Sequence, residues 1–202
     1  MMEGLAGGRL QRLTLWILGI AMVVAALGVT LALAAGSGSS DPLDSHPSAS
    51  EIAAVRVSAF DGPSQSVPAS VADSPIMKEA GIDAASLHEA QDLGDGHVLW
   101  IGKAGKKLCL MVTSGANGAA TCNDPSVIAS FGSIPLIVGK GESGQWVLGM
   151  VSDEARTASI GTKSTSVKNN TFALDVAAGE PAGPVEVKGA TGVGRRVNYD
   201  KL

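Results

Sequence analysis

The two cysteines are the residues of this sequence whose spacing points most directly to a covalent role. Cys109 falls in an apolar run and Cys122 ends a loop rich in glycine and alanine, with 12 residues between them. A disulfide that closes a loop of this size stabilises a fold by about 3 kcal/mol in the chain-entropy model. The spacing is not C-x-x-C and no second Cys/His pair completes a zinc set, so we expect no redox or metal role. We predict a Cys109–Cys122 disulfide, with two unpaired thiols as the alternative.

The histidines form a second, weaker pattern. His88 and His97 flank a predicted tight turn, so they could approach each other and, with Glu89 and Asp92, bind a metal ion. The competing interpretation, which we favour, is a set of polar residues on the surface of a hairpin. His46 lies in a segment rich in serine and proline and is expected to be solvated. The sequence therefore predicts no metal ligands.

Signatures of catalysis and of cofactor binding are missing from the sequence. It contains no G-x-S-x-G elbow, no P-loop and no dinucleotide fingerprint. Asp153 and Glu154 are adjacent in a predicted turn, where neighbouring side chains point to opposite sides, so they do not resemble a glycosidase acid pair. We predict no catalytic residue and no cofactor, and a non-enzymatic role is favoured over an enzymatic one.

Two tryptophans and one glycosylation sequon are the remaining residues with a potential functional role. Trp100 and Trp146 could line a ligand groove, but large rings more often fill a core, and we favour the core. Asn169-Asn170-Thr171 is a sequon that modification could reach only in an exported chain whose host glycosylates such sites. The sequence does not decide whether Asn169 carries a glycan.

The segment 13–35 has the properties of a transmembrane helix. Its 23 residues include no charged side chain. About 20 apolar residues suffice to cross the hydrocarbon of a bilayer as a helix, which satisfies its own backbone hydrogen bonds. We therefore predict that the lipid bilayer is a partner of the chain through residues 13–35.

The charges that flank this segment predict its orientation. Arg9 and Arg12 precede it, whereas the next Lys or Arg is Arg56, so the positive-inside rule places residues 1–12 in the cytoplasm. The chain is then a single-pass membrane protein whose C-terminal part is extracytoplasmic. A cleavable signal peptide is the alternative, because Ala34 ends a small-x-small pattern, and cleavage after it would give a secreted protein.

Beyond the apolar segment, composition divides the chain into a spacer and a domain. Residues 36–50 are rich in Ser, Gly, Pro and Asp and predict a flexible linker. Residues 51–202 predict one domain that begins with short helices. Helical spacing predicts a helix over 51–60 capped by Ser50, an irregular stretch over 61–75, and a helical turn that Ser74-Pro75 begins and Gly81 ends.

From residue 86 onwards the pattern changes to short strands between glycine-rich turns, with one helical turn near 124–131. The predicted strands cover residues 86–92, 97–102, 107–113, 134–138, 145–151, 156–160, 165–168, 171–176 and 185–188. Many short strands without a long intervening helix are typical of an antiparallel sandwich or barrel. The predicted fold class is a mainly β ectodomain with short helices, preceded by a single transmembrane helix.

The charge balance excludes one class of partner. Formal net charge is −4 at pH 7, and residues 36–202 alone contain 13 Lys and Arg against 18 Asp and Glu. Nucleic-acid binding requires a basic face that replaces phosphate counterions, and this composition does not provide one. We predict no nucleic-acid partner.

The order of several loose motifs resembles that of uncharacterised membrane-anchored or secreted proteins of actinobacteria. The resemblance covers about residues 55–190. Its motifs are Ala59-Phe60 with Pro63, Gly81-Ile82-Asp83, Trp100-Ile101, Leu108-Cys109-Leu110, Cys122, Val147-Leu148-Gly149-Met150-Val151 and Asn169-Asn170-Thr171-Phe172. Those proteins often have Pro-Asp-Gly in the turn where this chain has Ser152-Asp153-Glu154. The resemblance implies export and a β-rich domain, and no activity.

Three functional hypotheses follow from these features. The first is a membrane-tethered extracytoplasmic β-domain that acts as a structural or binding module at the cell envelope, with an unidentified envelope protein as a possible partner. The second is an envelope hydrolase with an unrecognised active site around His88 and His97. The third is an accessory subunit of a membrane complex that uses the helix itself. The first is favoured because no catalytic motif accompanies the anchor and the spacer.

Overall fold

A computed structural model describes residues 47–63, 65–180, 183–191 and 194–197. The predicted cytoplasmic tail, the predicted transmembrane helix at 13–35 and residues 36–46 of the predicted spacer lie outside these residues. The prediction of a flexible spacer is wrong at its end, because residues 49 and 50 begin a helix. Within the described part of the chain, no helix has both the length and the apolar composition needed to cross a membrane.

Short helices and eleven strands make up the described chain. The α-helices are α1 (Ala49–Ala53), α2 (Ala69–Ala72), α3 (Pro75–Ala80) and α4 (Ser126–Phe131), and 3-10 turns occupy Ser58–Phe60, Ala84–Ser86 and Gly141–Ser143. The strands are β1 (His88–Gly94), β2 (His97–Ala104), β3 (Lys107–Ser114), β4 (Asn117–Asn123), β5 (Ser133–Gly139), β6 (Gln145–Val151), β7 (Ala155–Ile160), β8 (Lys163–Ser166), β9 (Thr171–Val176), β10 (Val185–Gly189) and β11 (Gly194–Val197).

These strands form three sheets, and every pair of neighbours is antiparallel. The first sheet has the order β1-β2-β3-β4, the second β5-β6-β9 and the third β11-β10-β7-β8. The first sheet is a meander of consecutive hairpins, whereas β9 crosses back to pair with β6. The prediction of a mainly antiparallel β domain with short helices is confirmed.

Alternating side chains of the first sheet are buried on both of its faces. Leu99 and Ile101 of β2 pack towards the second sheet, in a cluster that includes Leu148 and Met150 of β6. Trp100, which lies between Leu99 and Ile101, faces the opposite way. The short helices and the segments that join them cover this face of the sheet. Their buried side chains in this cluster are Val71, Met77, Ile82 and Leu87. Near-continuous burial of β2 and β3 follows from this double coverage.

A third cluster joins the second and third sheets. Val147 and Phe172 of the second sheet pack with Val187 of the third, and all three are buried. Gly149 permits this packing, because a Cβ there would occupy the space of the Phe172 ring. The central strand β6 therefore contributes side chains to a cluster on each of its faces.

The helical region differs from its prediction in three places. The capping residue is Ser48 and not Ser50, since Ser48 and Glu51 form a reciprocal capping box that starts α1 at Ala49. The helix predicted over 51–60 stops at Ala53 and resumes only as a 3-10 turn. The stretch 61–75, predicted to be irregular, contains the short helix α2.

Two strands were not predicted from the sequence. Strand β4 occupies the glycine- and alanine-rich segment that we expected to be a loop, and it pairs with β3 along its whole length. Strand β11 lies beyond the last predicted strand and pairs with β10. The residues of both strands have weak β propensity. Pairing with an adjacent strand therefore stabilises the strand conformation that the local sequence does not favour.

Candidate functional site

The cysteine pair lies where two neighbouring strands face each other. Cys109 of β3 and Cys122 of β4 are directly opposite in the antiparallel register, with Cα atoms 4.1 Å apart. Their sulfur atoms are separated by 2.09 Å, which is disulfide-bonding distance. Cys109 is fully buried beneath the short helices that cover the first sheet. The pairing predicted from the sequence is present, although Cys122 lies in a strand and not at the end of a loop.

The two histidines do not form the grouping that we considered. His88 is opposite Ile101 and His97 is opposite Gly94, which places them at opposite ends of the first hairpin. At about 3.3 Å per strand residue, their separation along the strands is about 20 Å. The interpretation of His88 and His97 as a joint metal or catalytic site is wrong. No group of three or more potential metal-ligating side chains occurs among the described residues.

Each histidine instead packs against an aromatic ring. Phe60 meets His88 edge-on, with ring centroids 5.8 Å apart. His97 meets Trp146 in the same manner at 4.7 Å, and the Lys140 ammonium lies 5.0 Å from the Trp146 ring centroid. These contacts give both imidazoles a packing role.

Trp100 and Trp146 both belong to the core, as the sequence favours. Trp100 is 3% exposed, and its indole N–H donates to the Thr113 hydroxyl at 2.9 Å. Trp146 is 9% exposed and belongs to the cluster between the first and second sheets. Buried indoles need a partner for the N–H, and Thr113 supplies it for Trp100.

The densest polar contacts of the described chain converge on the carboxylate of Asp153, in the turn between β6 and β7. Its Oδ1 accepts hydrogen bonds from the Ser58 backbone N–H at 2.7 Å and from the Asn170 side-chain amide at 2.8 Å. Its Oδ2 lies 3.7 Å from Arg56 Nε. The backbone N–H of Asp153 donates to the Arg56 carbonyl at 2.8 Å. One residue therefore binds backbone and side-chain groups of the segment that enters the domain.

Asn170 completes this arrangement from the turn between β8 and β9. Its Oδ1 accepts from the Ala59 backbone N–H at 3.0 Å, and its Nδ2 donates to Asp153 and, at 3.2 Å, to the Val151 carbonyl. The residue is buried, so each polar atom of its side chain needs a partner, and each has one. We call Asp153 and Asn170 the clamp.

The backbone of the β8–β9 turn explains why asparagine occupies two consecutive positions there. Asn169 and Asn170 have φ angles of 45° and 59°, in the left-handed region that asparagine tolerates better than other residues with a side chain. The turn closes by reciprocal backbone hydrogen bonds between Lys168 and Thr171, and the Thr171 hydroxyl also donates to the Lys168 carbonyl at 2.9 Å. This geometry directs the Asn170 amide towards Asp153.

Hydrogen bonds and charge keep the clamp carboxylate ionised. Burial by itself raises the pKa of Asp153, but the donors Ser58 and Asn170 and the positive charge of Arg56 outweigh that effect. The net result is a pKa below the ordinary aspartate value. At neutral pH the carboxylate is therefore a charged acceptor, which strengthens its bond to the Ser58 N–H.

A cavity of about 600 Å³ opens beside the clamp, between α1, α4, the β6–β7 turn and the β10–β11 hairpin. Its apolar lining includes Val55, Ile128 and Val187, and its charged lining residues carry both signs: Glu51, Asp153, Glu154, Arg156 and Arg195. The Arg156 guanidinium donates to the backbone carbonyls of Asp153, at 2.6 Å, and of Ala155, at 3.0 Å. A second cavity of about 570 Å³ lies over the clamp itself and shares the β6–β7 turn with the first.

Side chains of the sequon form hydrogen bonds within the folded domain. The Asn169 side-chain amide donates to the Ala90 carbonyl of β1 at 2.9 Å. Thr171 is fully buried, and its hydroxyl is occupied by the Lys168 carbonyl and by the Gln91 amide at 2.8 Å. In the folded domain the Asn169 amide therefore supports the edge of the first sheet.

Sequence reasoning missed the clamp because its contacts join distant parts of the chain. Ser58 and Asp153 are 95 positions apart, and Ala59 and Asn170 are 111 apart. Asp153 looked like an ordinary turn residue and Asn170 like the middle of a sequon. The consecutive asparagines were the available signal, since that pair favours a left-handed turn.

Comparisons with known proteins return no match for this chain. No protein-family model matches the sequence, and no curated protein and no solved structure matches it at a significant level.

Proposed function

We propose that the protein is a membrane-tethered extracytoplasmic β-domain that acts as a binding or structural module at the cell envelope. In this proposal residues 13–35 form the anchor, the residues after them form the spacer, and the β-domain meets its partner outside the cytoplasm.

The observation that carries the proposal is the cysteine pair at disulfide-bonding distance. Cys109 and Cys122 lie directly opposite each other on β3 and β4, in a domain that follows an uncharged apolar segment of 23 residues. Stable disulfides persist in oxidising compartments and are rare in the cytosol. Export accounts for the bond and for the apolar segment together.

Thiol trapping in intact cells tests the redox part of the proposal. If intact cells are quenched with acid and the chain is then alkylated in denaturant, burial cannot protect a free thiol, and Cys109 and Cys122 should stay unmodified because the disulfide removes both thiols. Treatment with a reductant before alkylation should label both residues, which mass spectrometry of the isolated chain resolves. Full labelling of both residues without reductant would contradict the proposal.

The cavity beside the clamp is the place where a partner would bind. Its volume of about 600 Å³ lies in the range of small-molecule and peptide-anchor pockets. Its lining combines apolar side chains with three carboxylates and two guanidinium groups, so it suits a partner that carries an apolar group next to polar groups of both charges. The hydrolase hypothesis lost its motivation when His88 and His97 proved to be far apart.

A pair of tryptophan substitutions tests the binding function. Ala54 lines the cavity and is exposed, so Ala54→Trp should obstruct it and lower partner capture from envelope extracts at least tenfold. Ala178→Trp adds the same ring at an exposed position outside the cavity lining and should leave capture unchanged. Equal capture by both variants, or no capture above an unrelated tethered domain, would contradict this function.

A further inference from the structure

The segment that enters the domain lies on it with few buried side chains. We call residues 47–61 the strap; it contains α1 and the 3-10 turn Ser58–Phe60. Val57 is its one buried residue, at 9% exposure. The strap is not paired to any of the eleven described strands, in contrast to the chain that follows residue 86. Its attachment therefore depends on a small number of identifiable contacts.

Polar attachment of the strap is concentrated in the clamp. The backbone N–H groups of Ser58 and Ala59 donate to the side chains of Asp153 and Asn170, and the Arg56 carbonyl accepts from the Asp153 N–H. Asp153 and Asn170 therefore form hydrogen bonds with three backbone groups of the strap. In a sheet, a neighbouring strand would bind such groups. Loss of the two side chains leaves two of these groups without their partners.

Apolar contacts of the strap close one end of the core. Val57 belongs to the cluster between the first and second sheets, and Val55, Ala59 and Phe60 pack against the same cluster. The outer side of Phe60 is covered by the Lys103 ammonium, 4.6 Å from the ring centroid. Removal of the strap would expose the apolar side chains that these residues now cover, together with the cavity of which α1 forms one wall.

We infer that residues 47–61 form a releasable strap, which the Asp153–Asn170 clamp holds over the apolar core between the first and second sheets. Release uncovers an apolar surface at the end of the domain where the preceding chain enters. The strap opens as a unit, while the three sheets keep their hydrogen bonds. This inference concerns the fold alone, so it stands or falls independently of the anchor and of any partner.

Hydrogen exchange of the full-length chain tests the inference. The double variant Asp153→Ala/Asn170→Gly removes both clamp side chains, and glycine accepts the left-handed backbone at position 170 without strain. Amides in a peptide that covers residues 52–60 should exchange at least tenfold faster than in the parent chain. Amides of β2 and of residues 146–149 of β6 should change less than twofold, because the clamp contacts β6 only at Val151, its last residue.

Asn169→Gly is the matched control for the turn. It removes the neighbouring asparagine, whose amide binds Ala90 and not the strap, and it leaves the same left-handed backbone. This variant should leave exchange of residues 52–60 unchanged. Trypsin gives a second measurement, since cleavage after Arg56 should be accelerated in the double variant alone. Unchanged exchange in the strap of the double variant would overturn the inference, and so would an equal acceleration in the strap, β2 and β6.

Discussion

At the scale of single residues, the structure assigns the main polar role to a turn aspartate and a turn asparagine. Asp153 accepts from Ser58 and Asn170 and lies near Arg56, so its charge is used within the fold. The sequence predicted the cysteine pairing because two cysteines allow only one bond. It did not predict the clamp, because a single Asp in a turn has many possible partners and its actual partners are far away in the chain.

Acid should weaken the fold partly through Asp153. The pKa of this carboxyl is lowered in the folded chain, so its contribution to stability is complete above the unfolded value of about 3.9 and is lost as pH falls through the lower folded pKa. Asp153→Asn should therefore lower the free energy of unfolding at pH 7 by about 1.5–3 kcal/mol, the range for a hydrogen bond to a charged group. Urea unfolding at pH 7 and at pH 3 measures the difference between the two chains.

The difference between the parent chain and Asp153→Asn should shrink at pH 3, because the unfolded chain binds a proton below about pH 3.9 that the folded chain binds less readily. Asp175→Asn is the control, because it removes an ion pair with Lys140 in which the Asp175 side chain is 61% exposed. Exposed pairs contribute little, so this variant should change stability at pH 7 much less. A difference between parent and Asp153→Asn that stays constant from pH 7 to pH 3 would show that the charge of Asp153 has no part in stability.

At the scale of elements, local pattern predicted the strands that carry apolar alternation and missed those that do not. The bounds of β6 and β9 match the prediction, because branched and aromatic residues dominate both. Strand β4 was predicted as a loop, since Gly118, Ala119 and Ala120 give no strand signal, and only its pairing with β3 makes it a strand. Helices α3 and α4 lie within a few residues of their predicted positions, whereas α1 ends early, α2 was not predicted and the cap at Ser48 was overlooked.

Close packing of β6 against β9 depends on the absence of a side chain at Gly149. A Cβ at this position would overlap the Phe172 ring, and Phe172 is fully buried with no free space to move into. Gly149→Ala should therefore lower the free energy of unfolding by about 1–3 kcal/mol, as overpacked cores do.

Gly139→Ala in β5 is the control for this substitution. A Cβ at Gly139 would meet no atom within 4 Å, so the change should leave stability nearly unaltered. Thermal unfolding of the parent and both variants gives the comparison. Equal melting temperatures for the parent and Gly149→Ala would show that the two strands can separate at this point without cost.

At the scale of the whole molecule, the sequence predicted the class of fold but not how the strands are grouped into sheets. Alternating strands and glycine turns predicted an antiparallel β domain, which is confirmed. The division into three sheets was not predictable, because it depends on which strands pair over long sequence separations, as β6 with β9 and β7 with β10 do. The cavity was not predictable from the sequence either, because α1, α4 and the β10–β11 hairpin line it from separate parts of the chain.

The location of the C-terminus tests the central proposal most directly. Two fusions to the C-terminus of the full-length chain are needed: one to an enzyme that is active only after export, and one to a fluorescent protein that matures only in the cytosol. A matched pair of fusions that end after residue 12 provides the cytoplasmic control. The account predicts enzyme activity and no fluorescence for the full-length fusions, and the reverse for the control. Fluorescence without enzyme activity from the full-length fusions would place the β-domain inside the cell and contradict the account.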